Sequence, residues 1–168
     1  AFAEKIGLTE CKSEKFKEYY FQVVFTLKTY LNRISNDYNL NNNSVAYKMF
    51  EYVFTNFDVS VYSFNYTNTI HNCFDELLKE SNGFNLDSLR DRLVYVHGNL
   101  LDEDLIFGVN DNTIKDDFNS YLLKSCHKNY GKSNIVQDLE SSEHIFLFGF
   151  SLGNPDHDYF KSIFSSDI

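Results

Sequence analysis

Polar residues with the chemistry to bind or activate a ligand follow three apolar, strand-like segments of this chain. The segments are Val59–Tyr66, Leu93–Val96 and Ile145–Phe150. The polar residues at or just beyond their ends are Asn65, Thr67, His97, Ser151 and Asp156. Open α/β sheets bind ligands in the crevice beyond the carboxyl ends of their strands. The spacing therefore predicts that these residues line one such crevice.

Asn65, His97 and Gly98 carry the most specific chemistry near these strand ends. The amide of an asparagine can hydrogen-bond a ribose or a carbonyl, and the pKa of an imidazole suits His97 to proton transfer near neutral pH. Gly98 would let the backbone approach a ligand closely. Thr67 and Asn68 lie between a strand end and a predicted helix start, where N–H groups point outward. Against this, a histidine at a strand end is more often simply a hydrogen-bonded polar group.

The sequence GFSLG at 149–153 matches the G-x-S-x-G nucleophile elbow of serine hydrolases. It lies between a predicted strand and a predicted helix, as that motif requires. The acid and the histidine of such an enzyme should come later in the chain, where only 156–158 (Asp-His-Asp) remains. Those residues are too near in sequence to form a triad with Ser151. A tight glycine turn is therefore favoured, and a serine hydrolase is the third hypothesis.

The histidines and cysteines do not form a metal-binding pattern. His71-x-Cys73 and Cys126-His127 are the closest pairings, and neither has the spacing of structural zinc ligands. Cys73 lies on the apolar stripe of its predicted helix and is more simply a core residue. His157 and its flanking aspartates could bind a hard cation. A solvent-exposed first helical turn explains their polar character equally well. The sequence predicts no metal site, and it lacks both common glycine-rich phosphate-binding motifs.

Composition limits the classes of partner and compartment. The chain has 168 residues, 43% of them hydrophobic, and a net charge of -9 with no basic cluster, so no nucleic-acid partner is expected. Three scattered cysteines, none in a C-x-x-C pattern, fit a reducing compartment. The apolar stretch Tyr19–Leu27 is about half of the roughly 18 residues that a membrane span needs. With no signal peptide visible, we predict a cytoplasmic protein that does not bind a membrane.

Helix-like and strand-like segments alternate along the chain. Predicted helices cover 14–35, 45–57, 70–78, 116–127, 135–140 and 155–163, and predicted strands cover 59–66, 93–96, 105–109 and 145–150. Ser44 is placed to cap the second helix. This alternation favours an α/β fold with a mainly parallel sheet and helices on its faces. We predict a single domain over 1–168, with a helical part at 1–57 and an α/β core at 58–168.

Four separated motifs occur in an order that resembles one known family. They are Phe64-Asn65-Tyr66-Thr67-Asn68-Thr69, His97-Gly98, Phe107-Gly108, and Gly149-Phe150-Ser151-Leu152-Gly153 with Asp156 and Tyr159-Phe160. The set resembles the AbiH family of bacterial abortive-infection proteins, which act against phage. It covers about residues 59–162, and the first 57 residues match in type only.

The resemblance implies a Rossmann-like sheet and a dinucleotide ligand, because AbiH proteins are similar in turn to the sirtuin-like group that binds NAD. By that resemblance Asn65 would position the ribose or an attacking water, and His97 would act as the base. Gly149 and Ser151 would lie against the adenosine side of NAD. The cofactor-binding set implied in this way is Thr67, Asn68, Gly98, Gly149, Ser151 and Asp156.

Two departures from the family pattern shape the functional hypotheses. Thr67 stands where sirtuins keep an aspartate, and the first residues contain no strand with a Gly-Asn-Gly loop to hold the dinucleotide phosphates. We therefore expect a piece of a longer chain, with an incomplete Rossmann-like sheet. The leading hypothesis is an antiphage protein that binds or hydrolyses NAD. The alternative is a non-catalytic nucleotide-sensing or binding module, and either is compatible with a homo-oligomer.

Overall fold

A computed structural model describes residues 10–36, 41–80, 91–100, 105–108, 117–127, 130, 133–150 and 156–165. Its elements are the helices α1 (Glu10–Asn36), α2 (Val45–Asn56), α3 (Thr69–Glu80), α4 (Ile135–Ser141) and α5 (His157–Ser165), the strands β1 (Val61–Ser63) and β2 (Leu93–Tyr95), and the 3-10 helices Asp117–Leu122 and Lys124–Cys126. The chain divides into two compact units. The first unit comprises 1–39, 64–69 and 95–130, and the second comprises 40–63, 70–94 and 131–168.

The helices of the sequence prediction are confirmed, except around 116–127. α1, in the first unit, places Tyr20, Val24 and Leu31 on its half-buried side. This stripe repeats every three to four residues, as the apolar pattern predicts. Val23 and Ile34 also occur at helical spacing in this segment, but they are 54% and 39% exposed.

A side-chain cap defines the start of α2. Ser44 has an extended backbone, and its Oγ accepts a hydrogen bond of 3.2 Å from the Tyr47 N–H. This satisfies one of the N–H groups that a helix start leaves without an intrahelical partner. The helix ends at Asn56, where the N–H of Phe57 still donates to the Val53 carbonyl at 3.0 Å. The predicted cap is confirmed.

α2 and α3 enclose the hydrophobic core of the second unit. Its buried members are Tyr47, Val53, Phe54, Cys73, Phe74 and Leu77. The rings of Phe54 and Phe74 have centroids 4.9 Å apart. Cys73 is 1% exposed, which confirms its assignment to the core. Val61 of β1 and Leu93 of β2 pack against this cluster, so the strands share its core.

The sheet is small: β1 and β2 form a parallel pair of strands. The Val61 N–H donates to the Arg92 carbonyl at 3.0 Å, which sets their register. Arg92 also forms an ion pair with Asp58. Each strand has three residues, fewer than the apolar pattern predicted.

Two other predicted strands take different forms. In 105–108, the Phe107 N–H donates to the Leu105 carbonyl at 3.0 Å, and this tight turn replaces the extended backbone of a strand. The 145–150 segment is assigned to neither helix nor strand, and it belongs to no sheet within the described residues. Apolar content alone could not predict pairing, because pairing depends on a partner strand distant in sequence.

The predicted helix at 116–127 is instead a pair of 3-10 helices. Asn119 has φ -109° and ψ 17°, and Leu123, between the two helices, is extended with ψ 134°. Serine and asparagine side chains compete for backbone hydrogen bonds and weaken a regular helix, and this stretch holds Asn119, Ser120 and Ser125.

The described fold is therefore a helix-rich α/β arrangement with a small parallel sheet. A Rossmann-like sheet is compatible with it and stays a prediction, as does the single domain divided at residue 57.

Candidate functional site

The predicted site residues of the first unit lie on loops that follow β1 and β2. Residues 64–69 run from β1 to the first residue of α3, and 96–100 follow β2 directly. The third loop, 105–108, lies against both of them through hydrogen bonds. We call these three segments the strand-end loop cluster.

Three hydrogen bonds hold the strand-end loop cluster together. The Leu100 N–H donates to the Tyr66 carbonyl at 2.9 Å, and the Ile106 N–H donates to the His97 carbonyl at 2.9 Å. The Tyr66 hydroxyl donates to the Ile106 carbonyl, also at 2.9 Å. Because each loop is bonded to another, the segments that carry Asn65 and His97 are brought to one place.

His97 is enclosed by aromatic rings. It is 8% exposed, and its Nε2 atom is buried. Its ring meets Phe64 edge-on at 5.4 Å between centroids and lies 6.3 Å from the ring of Tyr66. These aromatic side chains flank Asn65 in sequence, and Asn65 itself is exposed. The asparagine is therefore open to a solute, whereas the imidazole is not.

The remaining residues of the cluster are suited to hydrogen bonding. Thr67 and Asn68 are half-buried just before α3, and the Thr67 Oγ1 lies 3.0 Å from the Thr69 Oγ1. Gly98 has φ +76°, a left-handed conformation that favours glycine, and its N–H donates to the Tyr95 carbonyl at 3.1 Å. Burial raises the pKa of the Tyr95 hydroxyl to about 12.

The second motif region belongs to the second unit. Gly149 is exposed and has φ +63°, as the predicted glycine turn requires. Asp156 is half-buried immediately before α5, and Ser151 lies outside the described residues. The predicted roles of these three residues stay predictions.

Several residues around the loop 105–108 were not selected from the sequence. The Tyr20 hydroxyl donates to the Phe107 carbonyl at 2.5 Å, and Asn119 and Lys124 are 7% and 4% exposed. A Cβ on Gly108 would lie 2.4 Å from the Leu122 carbonyl oxygen. No local pattern signals these positions, because their burial depends on packing between distant segments.

The described residues form neither a metal site nor a membrane span. Among the residues that the structure describes, no three histidine, cysteine or acidic side chains group so as to hold a metal ion. Over the same residues, no helix combines the length and apolar character needed to cross a membrane.

The strand-end loop cluster presents an exposed asparagine amide, whereas its imidazole is buried. An exposed asparagine amide can both donate to and accept from ribose hydroxyls. Gly98 offers a backbone without a side chain at the same loops. A general base must come within hydrogen-bond reach of the proton that it abstracts, and the Nε2 of His97 is buried in this conformation.

Comparisons with known proteins place the chain in a family. The family model described as Bacteriophage abortive infection AbiH matches residues 7–167. No curated protein and no solved structure matches significantly. The match spans nearly the whole chain and includes every motif of the strand-end loop cluster. The chain belongs to the AbiH family of bacteriophage abortive-infection proteins.

Proposed function

We propose that this chain contributes to abortive infection by binding a dinucleotide of the NAD type at the strand-end loop cluster. The observation that carries the proposal is the hydrogen bond between the Leu100 N–H and the Tyr66 carbonyl, which joins the loops after β1 and β2. The ends of adjacent parallel strands are where α/β proteins bind nucleotides. Family membership supports the role in phage defence.

In this proposal Asn65 contacts the nicotinamide ribose, and the backbone at Gly98 approaches the same ligand. Thr67 and Asn68 supply hydrogen bonds beside the start of α3. With a net charge of -9, the protein would repel the phosphates at long range, so binding depends on such local contacts.

NAD hydrolysis is the second candidate, and it assigns His97 as the base. Water would form a bond to C1′ of the ribose as the C1′–N bond to nicotinamide breaks. Nicotinamide leaves as the neutral base, and the proton of the water passes to the imidazole. The position of His97 in the same loop cluster as Asn65 favours this candidate, whereas its 8% exposure favours binding without turnover.

Calorimetric titration of the 168-residue chain with NAD and with ADP-ribose tests the binding proposal. Asn65→Ala should weaken binding by about tenfold, the effect of losing one to two hydrogen bonds. Asn134→Ala is the matched control, because Asn134 is also exposed and its side chain makes no capping hydrogen bond. Absence of heat with both ligands, or equal effects of the two variants, would rule out binding at this site.

Chromatographic detection of nicotinamide distinguishes hydrolysis from binding. If His97 is the base, His97→Gln should reduce release at least a hundredfold, whereas His157→Gln, at an exposed position of α5, should not change it. Binding without release in the wild type would identify a sensing module.

A serine hydrolase remains the third candidate because of the sequence at 149–153. Labelling with a fluorophosphonate probe tests it, since only an activated Ser151 would react. A wild type that labels no faster than Ser151→Ala removes this candidate.

A further inference from the structure

The most apolar segment of the second unit is left exposed. We call His144–Phe148 the open strand segment. It is assigned to no helix, strand or turn, and Ile145, Phe146, Leu147 and Phe148 are 40% to 47% exposed. Large apolar side chains in an unbroken run are rarely left in water, and such exposure marks interaction surfaces.

One face of the open strand segment packs on aromatic residues of and beside α2. The rings of His144 and Phe146 lie 5.4 Å and 5.0 Å from the ring of Phe57. The ring of Phe148 lies 6.2 Å from that of Phe50. These residues alternate along the segment, as side chains on one face of a strand do. Ile145 and Leu147 therefore occupy the other face, and both faces are apolar.

Within the part of the chain that the structure describes, the open strand segment has no neighbouring strand. Among the described residues, β1 and β2 alone form a sheet, and no inter-element backbone hydrogen bond involves 144–149. Exposed strand edges attract other strands, and proteins commonly protect them with charges or proline. Residues 144–150 contain neither an acidic, lysine or arginine residue nor a proline.

We propose that the open strand segment pairs with the same segment of a second copy of this chain. The pairing is antiparallel, with its two-fold axis at Leu147. This register places Phe146 opposite Phe148 of the second copy, and directly opposed aromatic residues stabilise antiparallel strands. Because the segment carries no formal charge, no like charges face each other, and both copies satisfy the backbone groups of the other.

The area available predicts a weak, reversible dimer. A large apolar side chain buries about 200 Å² when fully covered. At 40% to 47% exposure, the four central side chains together expose about 350 Å² per copy, so a dimer buries at most about 700 Å² of this surface. Stable interfaces bury about 1,200 Å² or more, so this contact resembles transient complexes.

Sedimentation velocity of the full 168-residue chain tests the dimer between about 10 and 500 µM. Leu147→Lys places two like charges at the two-fold axis and should weaken the dimer at least tenfold. Val45→Lys is the control, because Val45 is 77% exposed elsewhere in the same unit and should leave the dimer unchanged. Both variants must retain the wild-type far-UV circular dichroism. A wild type that stays monomeric, or a control that dissociates equally, overturns the proposal.

Disulfide cross-linking tests the register. In a background with Cys11 and Cys126 changed to serine, Leu147→Cys should cross-link readily, because the two copies of residue 147 face each other. Ile145→Cys lies on the same face, but its two copies would be about 13 Å apart, beyond the reach of a disulfide. Equal rates for the two variants, or linkage of Ile145→Cys alone, would exclude the proposed pairing.

Discussion

At the scale of single residues, the burial of a side chain determines whether it can react. Cys73 is 1% exposed, whereas Cys126 is exposed. His97 and Asn65 differ in the same way within one loop cluster. A thiol or an imidazole becomes reactive only where solvent or substrate reaches it.

We expect Cys73 to be unreactive toward Ellman's reagent in the folded chain. Burial raises the pKa of its thiol from 9.0 to about 11, so at pH 8 its thiolate fraction is lowered about a hundredfold. Cys126, which is exposed, should label at the rate of a free thiol. In urea all three cysteines should react. Equal rates for Cys73 and Cys126 in the native protein would contradict the buried position.

Gly108 and Gly149 should respond differently to substitution, because their constraints differ. Gly108→Ala places a Cβ 2.4 Å from the Leu122 carbonyl oxygen and should lower the free energy of unfolding by about 1–3 kcal/mol. Gly149→Ala meets no atom within 4 Å, but its φ of +63° should cost about 1–2 kcal/mol.

Asparagine substitutions at the same two positions distinguish a steric clash of the Cβ from strain in the backbone. Asparagine tolerates the left-handed region, so Gly149→Asn should be milder than Gly149→Ala. Gly108→Asn should be at least as harmful as Gly108→Ala, because it also carries a Cβ. Urea denaturation of the four variants gives the comparison, and an equally mild Gly108→Asn would refute the contact with Leu122.

At the scale of elements, local signals explain the helix starts, whereas contacts distant in sequence join helices to strands. The Ser44 cap lies three residues from its donor, and it was predicted from the sequence. The hydroxyl of Tyr62 in β1 donates to the carboxylate of Asp138 in α4, 76 residues away. No periodicity could predict that second contact.

Ser44→Ala should lower the free energy of unfolding by about 1 kcal/mol, because the N–H of Tyr47 loses its acceptor. Asn134 occupies the corresponding position before α4 without a side-chain capping bond, so Asn134→Ala should cost less than about 0.5 kcal/mol. Urea denaturation at pH 7 measures both. A cost for Asn134→Ala that equals that of Ser44→Ala would show that the cap geometry is not responsible.

Tyr62 should contribute stability that is lost at alkaline pH. Burial, with a smaller effect of the Asp138 carboxylate, raises the pKa of Tyr62 above its usual 10.0. The folded chain then holds a proton that the unfolded chain releases, so the free energy of unfolding falls as pH rises above about 10. Tyr62→Phe should make that fall shallower and should cost about 1 kcal/mol at pH 7. Denaturation at pH 7 and pH 10.5 checks both effects.

At the scale of the whole molecule, the aromatic core of the second unit is a major source of stability. Phe74 is 0% exposed and lies against Phe54, while Phe164 on α5 is 58% exposed. Domains are stabilised by only about 5–15 kcal/mol in total. The loss of one central ring therefore removes a large share of that free energy.

Phe74→Ala should destabilise the chain by about 3–5 kcal/mol, because it removes buried apolar area and leaves a cavity. Phe164→Ala, a matched aromatic truncation in the same unit, should change the free energy of unfolding by less than about 1 kcal/mol. Thermal and urea denaturation followed by circular dichroism measure both. Similar losses in the free energy of unfolding for the two variants would show that Phe74 is not a central core residue.

The sequence alone determined the features that depend on neighbours a few residues apart. Helical periodicity located α1 to α5, and Ser44 marked the start of α2. The apolar stripe that contains Cys73 identified a core position. The order of four short motifs indicated the family that the comparison then matched over 7–167.

Only the tertiary structure decided what depends on contacts between distant segments. The structure shows that 105–108 forms a turn and that the imidazole of His97 lies between Phe64 and Tyr66. Among the described residues, it places no strand beside Leu147. The sequence shows whether each of these residues is apolar or polar. It does not show whether the residue is exposed or which segment it contacts. Strand pairing and burial depend on hydrogen bonds and packing with distant parts of the chain. A local sequence pattern does not predict those contacts.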